Sequence, residues 1–225
     1  STAEDGKSAS DLCTYSVVEI ERIAHLAFKA AEERRKKLTL IDKANVLETS
    51  RLWRKTVTEI AKEYPGVKVD YLFVDNAAMQ MILNPKQFDV ILTENMFGDI
   101  ISDEASVIGG SIGLLESASV GSKIAMFEPI HGSYPQATGQ GIANPVASVL
   151  SAAMLLDHLG LKKEAETVRH AVELSIKLNI CTIDINKDNH YSTERVGDFL
   201  ESVISDTEGH IINNENLNLG QMTII

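Results

Sequence analysis

The chain has 225 residues, a formal net charge of −11 and the ordinary apolar fraction of a globular protein. This acidity argues against a nucleic-acid backbone or an anionic membrane as partner, and no apolar run is long enough to span a bilayer. No signal peptide opens the sequence, and the two cysteines, Cys13 and Cys181, which are far apart in the sequence, give no disulfide framework or zinc spacing. We therefore expect a cytoplasmic protein with reduced thiols.

The first half of the chain has the pattern of helices that alternate with strands. Residues 1–10 are small and polar, and are expected to form a loop or an arm. Ser16 and Glu19 then have capping-box spacing ahead of a first helix. Strands are predicted at 38–41, 67–74 and 88–92, and helices at 48–64, before Pro85 and around Asp99. This alternation predicts an α/β fold with a mostly parallel sheet and flanking helices.

The second half begins with a Gly- and Ser-rich stretch, 109–121, which is predicted to cross between two domains. A strand is predicted at 123–127, and a long loop at 128–144 that is of a length typical of functional loops. A helix is predicted from Pro145 at its first position to Leu159, with Asn144 as its N-cap, and further helices are predicted at 162–178 and 192–204. The Asn-rich tail, from 210 onward, is expected to be disordered.

Polar residues follow three successive predicted strands. They are Lys43 and Asn45, then Asp75, then Asn95, Asp99 and Asp103. Because the carboxyl ends of parallel strands meet at one edge of a sheet, this pattern predicts a site there. Asp99 and Asp103 are four positions apart and share a helix face, and carboxylate oxygens are ligands that suit Mg²⁺ or Mn²⁺.

Each of these residues also has a plainer interpretation. The aspartates can form a solvated acidic face, and Asp75 can be a helix N-cap. Lys43 can be an ordinary surface lysine, and His131 can be a structural residue of a glycine-rich loop. Trp53 and the methionines are expected in the core. A base role for Lys43 would require partial desolvation at its place between a strand and a helix.

Four ordered motifs carry a resemblance to a known family. They are DKANVLETSRLWR at 42–54, VDNAAMQ at 74–80, NMFGDIISDEAS at 95–106 and EPIHGSYPQATGQGIANP at 128–145. From about Tyr15 to Leu200 the sequence resembles the β-decarboxylating dehydrogenases, which act on isopropylmalate, isocitrate, homoisocitrate or tartrate. The continuation VLETSRLWR resembles the isopropylmalate branch.

The resemblance implies oxidative decarboxylation of (2R,3S)-3-isopropylmalate to 4-methyl-2-oxopentanoate in leucine biosynthesis, with NAD and a divalent metal, Mg²⁺ or Mn²⁺. Lys43 matches the family's catalytic lysine. Asp75, Asp99 and Asp103 match its metal ligands, with Asp75 also near substrate, and Asn45 matches a residue near the nicotinamide. The loop around the adenosine half of NAD is matched by His131, Gly132, Ser133, Tyr134, Pro135, Gln136, Gly139, Gly141, Ile142, Ala143 and Asn144.

The resemblance also implies a homodimer in which Lys43 and Asp75 complete the partner's site. Residues 1–110 would form the substrate, metal and dimer domain, and 111–225 the C-terminal half of a cofactor domain. The family's N-terminal part, which grips the substrate carboxylates, is absent from the sequence, and Arg51 and Arg54 are not expected to replace it. Gln136 stands where many members have aspartate, so NADP stays open as an alternative to NAD.

Three alternatives stay open at this point. The protein can be a sister enzyme for isocitrate, homoisocitrate or tartrate. It can be an Mg²⁺-dependent lyase or phosphotransferase built on the three aspartates. It can also be an inactive fragment that only folds or dimerises.

Overall fold

The computed structural model of the protein describes residues 1–206. The chain forms two compact units, Ser1–Ala105 and Ser106–Ile225. The helices are α1 (Val17–Glu33), α2 (Glu48–Ile60), α3 (Val74–Leu83), α4 (Asn95–Gly109), α5 (Val146–His158), α6 (Lys162–Lys177) and α7 (Thr193–Ser205). The strands are β1 (Lys37–Asp42), β2 (Lys68–Phe73), β3 (Val90–Thr93), β4 (Glu116–Val120) and β5 (Ala125–Pro129).

The first unit contains a three-stranded parallel sheet with the order β2–β1–β3. In this sheet Asp42 pairs with Phe73, and Ile41 pairs with Thr93, so the carboxyl ends of all three strands lie at one edge. β1 is the central strand and is buried over nearly its whole length. This arrangement confirms the predicted parallel α/β sheet and its shared strand edge.

Alternation along β1 sends successive side chains to opposite faces of the sheet. Leu38 and Leu40 join a cluster with Phe28 of α1 and Trp53 of α2. Ile41 joins a second cluster, which also includes Ala77, Met81, Phe88 and Ile101. Helices therefore cover both faces, which is why every residue of β1 after Lys37 is buried.

The start of α1 shows how the sequence fixes an element locally. The Ser16 hydroxyl accepts a hydrogen bond from the Glu19 N–H, and the Glu19 carboxylate accepts one from the Ser16 N–H at 2.7 Å. These bonds form the predicted capping box. The expected polar segment at 1–10 is exposed and makes one bridge, between Thr2 and Ala9.

The second unit contains the antiparallel pair β4–β5 and three helices, α5, α6 and α7. Its buried cluster is apolar and draws on all three helices, through Leu150, Val172 and Leu200 among others. The helix α7 begins as predicted, because the Ser192 hydroxyl accepts a hydrogen bond from the Arg195 N–H at 3.2 Å.

Several predictions for this half were wrong. The stretch 109–121 contains β4 and a short 3₁₀ helix, Ile112–Leu114, instead of a plain crossing. Asn144 does not occupy the N-cap position, which is taken by Pro145, although the Asn144 carboxamide oxygen does accept a hydrogen bond from the Val146 N–H at 3.0 Å.

Within residues 1–206 no helix is long and apolar enough to cross a membrane. The tail predicted to be disordered lies outside the described residues.

The methionines are also not all in the core. Met81 is buried, whereas Met79, Met96 and Met126 are exposed. Trp53 is buried, as predicted. The free cysteines are the exposed Cys13 and the buried Cys181.

Candidate functional site

The strand edge brings Lys43 and Asp75 together. Lys43 follows the last residue of β1, and Asp75 lies in the first turn of α3, directly after β2. The Lys43 Nζ atom is 2.8 Å from Oδ2 of Asp75. The hydrogen bond from the Lys43 ammonium holds the pKa of Asp75 below its ordinary value. The N-cap of α3 is Phe73, so Asp75 is not the N-cap that the plainer interpretation proposed.

The lysine is neither fully exposed nor buried. Its side chain is 23% exposed, against 66% for Asp75. The amine lies at the carboxyl edge of the sheet, where α/β proteins place their ligands. The role of Lys43 as a catalytic base stays a prediction.

The helix α4 carries the second part of the candidate site. Asp99 and Asp103 are one helical turn apart, and both residues are exposed. The side-chain amide of Asn95 donates to Oδ2 of Asp99 at 3.4 Å. Two exposed carboxylates on one helix face offer the oxygen donors that Mg²⁺ or Mn²⁺ takes.

The start of α4 is fixed by a residue that the sequence did not single out. The buried Glu94 carboxylate accepts from the Met96 and Phe97 N–H groups, both at 3.1 Å. It also accepts from the Tyr15 hydroxyl at 2.8 Å. Burial and this hydrogen bond raise the pKa of Tyr15. A carboxylate that satisfies the first N–H groups of a helix fixes the direction in which Asp99 projects.

The three predicted metal-binding aspartates do not form one cluster. Within residues 1–206 no group of three or more His, Cys, Asp or Glu side chains is placed to hold a metal ion. Asp75 is engaged by Lys43, while Asp99 and Asp103 project from α4. The donor chemistry of Asp99 and Asp103 fits a hard divalent cation, but a complete coordination shell needs further oxygens from outside this set.

The predicted adenosine loop lies in the second unit, where its residues are braced by neighbours later in the chain. The Gly141 carbonyl accepts from the Thr193 N–H at 2.8 Å, and the Ala143 carbonyl accepts from the Thr193 hydroxyl at 2.5 Å. Gly139 and Gly141 have φ values of 77° and 63°, a conformation that favours glycine. The loop is therefore held at its C-terminal end by the start of α7.

Asn144 is held on both sides. Its amide donates to Oδ2 of Asp184 at 3.0 Å, and that oxygen also accepts from the Ser111 hydroxyl at 2.5 Å. The other Asp184 oxygen accepts from the Thr182 hydroxyl at 2.5 Å. Desolvation would raise the pKa of Asp184, but these hydrogen bonds outweigh it, and the pKa lies below its ordinary value. The backbone at Gly113 lies so close that an added Cβ would be 2.8 Å from the Asn144 Cβ.

Other members of the predicted loop lie at the surface. Exposed positions include Gly132, Ser133, Tyr134, Pro135 and Gln136. Nδ1 of His131 lies 3.0 Å from the Gly132 carbonyl oxygen, and the Gln136 carbonyl accepts from the Gln140 side-chain amide at 2.7 Å. Ile142 is half-buried. Asn45 is exposed beside Lys43, and its carbonyl accepts from Arg51 at 3.3 Å.

The model of one protein family, isocitrate/isopropylmalate dehydrogenase, matches residues 1–200. The chain belongs to the isocitrate/isopropylmalate dehydrogenase family. The matched range includes all four motifs that carried the resemblance.

Two family members illustrate the sequence similarity. A 3-isopropylmalate dehydrogenase of Wolinella succinogenes is 58% identical over 182 residues, which cover 80% of this chain and 51% of that protein. One of Bacteroides fragilis is 51% identical over 203 residues, which cover 89% of this chain and 58% of that protein. The chain spans about half the length of the curated relatives that it matches.

Two solved structures share the fold of this chain. The isocitrate dehydrogenase of Methylococcus capsulatus matches with a TM-score of 0.86 at 38% identity, covering 89% of this chain and 60% of that chain. A β-decarboxylating dehydrogenase of Thermococcus kodakarensis matches with a TM-score of 0.80 at 40% identity, covering 91% of this chain and 60% of that chain.

Proposed function

We propose that the complete protein catalyses the oxidative decarboxylation of (2R,3S)-3-isopropylmalate with NAD and Mg²⁺ or Mn²⁺, a step of leucine biosynthesis. The observation that carries this proposal is the Lys43–Asp75 pair at the carboxyl edge of the sheet. Family membership supports the reaction class. The relatives named above support isopropylmalate, since two proteins with that name are 58% and 51% identical, against 38% for the isocitrate dehydrogenase.

In this proposal Lys43 first releases a proton to solvent and then, as the neutral amine, takes the proton of the substrate's C2 hydroxyl as a general base. Asp75 holds the lysine amine in place. Asp99 and Asp103 of the first unit would hold the divalent cation, and the segment 131–144 of the second unit would contact the adenosine half of NAD. When bound, NAD accepts the hydride from C2 and the cation stabilises the negative charge that develops as CO₂ leaves.

A substrate panel tests this assignment. The full-length enzyme should reduce NAD with isopropylmalate at a kcat/KM at least about tenfold above that with isocitrate, homoisocitrate or tartrate. A higher value with isocitrate would instead support the sister activity, which the structural similarity to the Methylococcus enzyme also allows. Substrate consumption that needs Mg²⁺ but no nicotinamide would support the lyase or phosphotransferase alternative. NADP is assayed in parallel, because the exposed Gln136 is a neutral residue.

We also propose that the enzyme is a homodimer with shared sites. Exposed apolar side chains lie on α3, at Met79, Ile82 and Leu83, and on α4, at Met96 and Ile100. Large apolar side chains that are exposed on two helices of one unit are the kind of surface that a subunit interface covers. A second copy would also explain why the three aspartates do not cluster, since the partner's Asp75 could join Asp99 and Asp103.

Subunit mixing tests the shared site directly. Lys43→Met and Asp99→Asn subunits are each expected to be inactive as homodimers. If Lys43 serves the partner's site, the mixed dimer has one intact site and one doubly defective site. Random mixing then restores about a quarter of wild-type activity, because half of the dimers are mixed. Restoration near zero, with mixed dimers verified by mass spectrometry, would show that each site is contained in one subunit.

A further inference from the structure

The residue that precedes Lys43 makes an unusually complete ion pair. Asp42 ends β1, and its side chain is 2% exposed. Its Oδ2 accepts from Nε of Arg54 at 2.8 Å, and its Oδ1 accepts from a terminal nitrogen of the same guanidinium at 2.8 Å. Oδ1 also accepts from the Ala44 N–H at 3.0 Å. One buried carboxylate thus ties Arg54 to the backbone on the far side of Lys43.

Arg54 is itself oriented by the neighbouring strand. Its guanidinium carbon lies 5.3 Å from the ring centre of Tyr71 and 5.1 Å from that of Phe73. These residues are two positions apart on β2, so they project from the same face of the sheet. Phe73 is also the residue before α3, whose first turn carries Asp75. Arg54 therefore contacts the ends of both strands that deliver the Lys43–Asp75 pair.

The turn that carries Lys43 is held by further hydrogen bonds. The Lys43 N–H donates to the buried Ser50 hydroxyl at 3.0 Å. The Lys43 carbonyl accepts from the Val46 and Leu47 N–H groups at 3.0 and 2.9 Å. The Ala44 carbonyl accepts from Nε of Arg51 at 2.9 Å. With its backbone fixed in this way, the lysine can vary only through its side chain, which ends at Asp75.

Buried ion pairs often contribute little net free energy of folding once desolvation is counted, so stability does not by itself account for the Asp42–Arg54 pair. The geometry of the pair accounts for it better, because a bidentate guanidinium–carboxylate contact fixes both distance and direction. A catalytic base is sensitive to both, and small displacements of a reacting group lower the rate steeply.

We propose that Asp42 and Arg54 form a positioning unit that sets the direction of Lys43 toward the reacting hydroxyl. The inference rests on the proposed base role of Lys43. Neither residue touches the substrate in this proposal. Asp42 fixes the turn through the Ala44 N–H, and Arg54 fixes Asp42 relative to the end of β2.

The test uses the full-length enzyme with Arg54→Lys, which keeps the charge but loses the bidentate fork. Asp42→Asn, which keeps the shape but loses the charge, is the second variant. Two quantities are measured: amide hydrogen exchange of the peptide that covers residues 43–47, and kcat and KM for isopropylmalate and NAD. We expect faster exchange in this peptide, a kcat lower by roughly 10- to 100-fold and a KM for NAD within about twofold of wild type.

Arg34→Lys is the matched control. Arg34 donates from Nε to Oδ1 of Asp89 at 3.0 Å, and the exposed fractions of the two side chains, 37% and 1%, are close to the 33% and 2% of Arg54 and Asp42. Asp89 directly precedes β3, at the opposite edge of the same sheet from Asp42. The control should lower Tm without changing exchange at 43–47 or kcat.

The outcomes separate the inference from the proposed function. Unchanged exchange at 43–47 in folded Arg54→Lys overturns the inference for any substrate. Faster exchange with an unchanged kcat also overturns it, because the turn would then not position a catalytic group. If the wild-type enzyme turns over a sister substrate instead of isopropylmalate, the proposed substrate fails, and the same kcat loss with that sister substrate still supports the positioning role.

Discussion

The Nζ atom of Lys43 lies 2.8 Å from Oδ2 of Asp75, across the ends of two neighbouring parallel strands. The two residues belong to different sequence motifs, and only the pairing of β1 with β2 brings them together. An amine held in this way has a defined position in the free protein. That is the condition under which a general base contributes to the rate without a large ordering cost.

Replacing Lys43 by Met keeps most of the apolar stem and removes the amine. A base in the chemical step typically contributes about 10²–10⁴-fold, and we expect a loss of that size in kcat of the full-length enzyme. Steady-state NAD reduction measures it. Lys55→Met, a change of an exposed lysine on α2, is the control and should leave kcat near wild type. Near-normal turnover by Lys43→Met would return this residue to the surface-lysine interpretation.

Asp99→Asn tests the carboxylate pair of α4. The substitution keeps the side-chain shape but removes one anionic ligand, so Mn²⁺ affinity in the full-length enzyme should fall at least about tenfold, or roughly 1.4 kcal/mol. Isothermal titration calorimetry with Mn²⁺ alone measures this change. Glu104→Gln removes the same charge from the same helix at a position that does not share the face of Asp99 and Asp103. Equal effects of the two variants would indicate general electrostatics and not a ligand.

Gly113→Ala tests whether the bracing of Asn144 matters for cofactor binding. The added methyl group would lie 2.8 Å from the Asn144 Cβ and 3.1 Å from Oδ2 of Asp184, so the asparagine must move. We expect NAD affinity of the full-length enzyme to fall about tenfold, a change of roughly 1.4 kcal/mol, measured by calorimetry. Gly197→Ala in α7 is the control, because its Cβ would meet no atom within 4 Å. Unchanged NAD affinity in folded Gly113→Ala would remove Asn144 from the cofactor site.

Much of the first unit could be predicted from the sequence. Its strands are short apolar runs followed at once by polar residues, and the alternation with helices predicts parallel pairing. That reasoning placed Lys43 and Asp75 at the same edge. The same reasoning could not predict the ion pair between Asp42 and Arg54, because that pair depends on the packing of α2 against the sheet.

In the second unit the sequence pattern is too weak to predict every strand. β4 has the sequence ESASV, whose small and polar residues carry little β propensity, and its pairing with β5 defines it as a strand. The exposed Met79 and Met96 were expected in the core because methionine is apolar. Apolar character alone cannot distinguish a core face from a face that stays exposed.

Asp89 gives a pH prediction. Burial would raise the pKa of Asp89, but the hydrogen bonds from the Arg34 side chain and the Arg35 N–H outweigh it and hold the pKa below its ordinary value. A lowered pKa in the folded state stabilises the protein above the unfolded-state pKa, near 3.9, and this stabilisation is lost as pH falls through the folded value. The Asp89→Asn variant lacks this pH-dependent stabilisation, because an amide does not ionise.

The free energy of unfolding of the first unit is measured by urea titration, with the emission of Trp53, the chain's one tryptophan, as the probe. Wild type should be more stable than Asp89→Asn at pH 7, and the difference should shrink as the pH falls below about 4. A difference that stays constant over this range would show that the carboxylate of Asp89 is not the titrating group.

The last prediction concerns the 225-residue chain by itself. It spans about half the length of its curated relatives, and its second unit contains a two-stranded sheet, β4–β5, with Ile124 and Met126 exposed. Neither Arg51 nor Arg54 is free to grip a substrate carboxylate, since Arg51 binds Glu48 and the Ala44 carbonyl while Arg54 binds Asp42. A dicarboxylate substrate needs paired cations to leave water.

We therefore expect the isolated chain to show no isopropylmalate-dependent reduction of NAD. We also expect limited proteolysis to cut the second unit before the first, because unpaired strand edges and exposed apolar surface mark the less complete part of a fold. Adding the N-terminal segment of a full-length relative, as a fusion or as a separate chain, should restore turnover. A Lys43→Met version of the same fusion is the control for that activity. Robust turnover by the isolated chain would show that its own residues hold both substrate carboxylates.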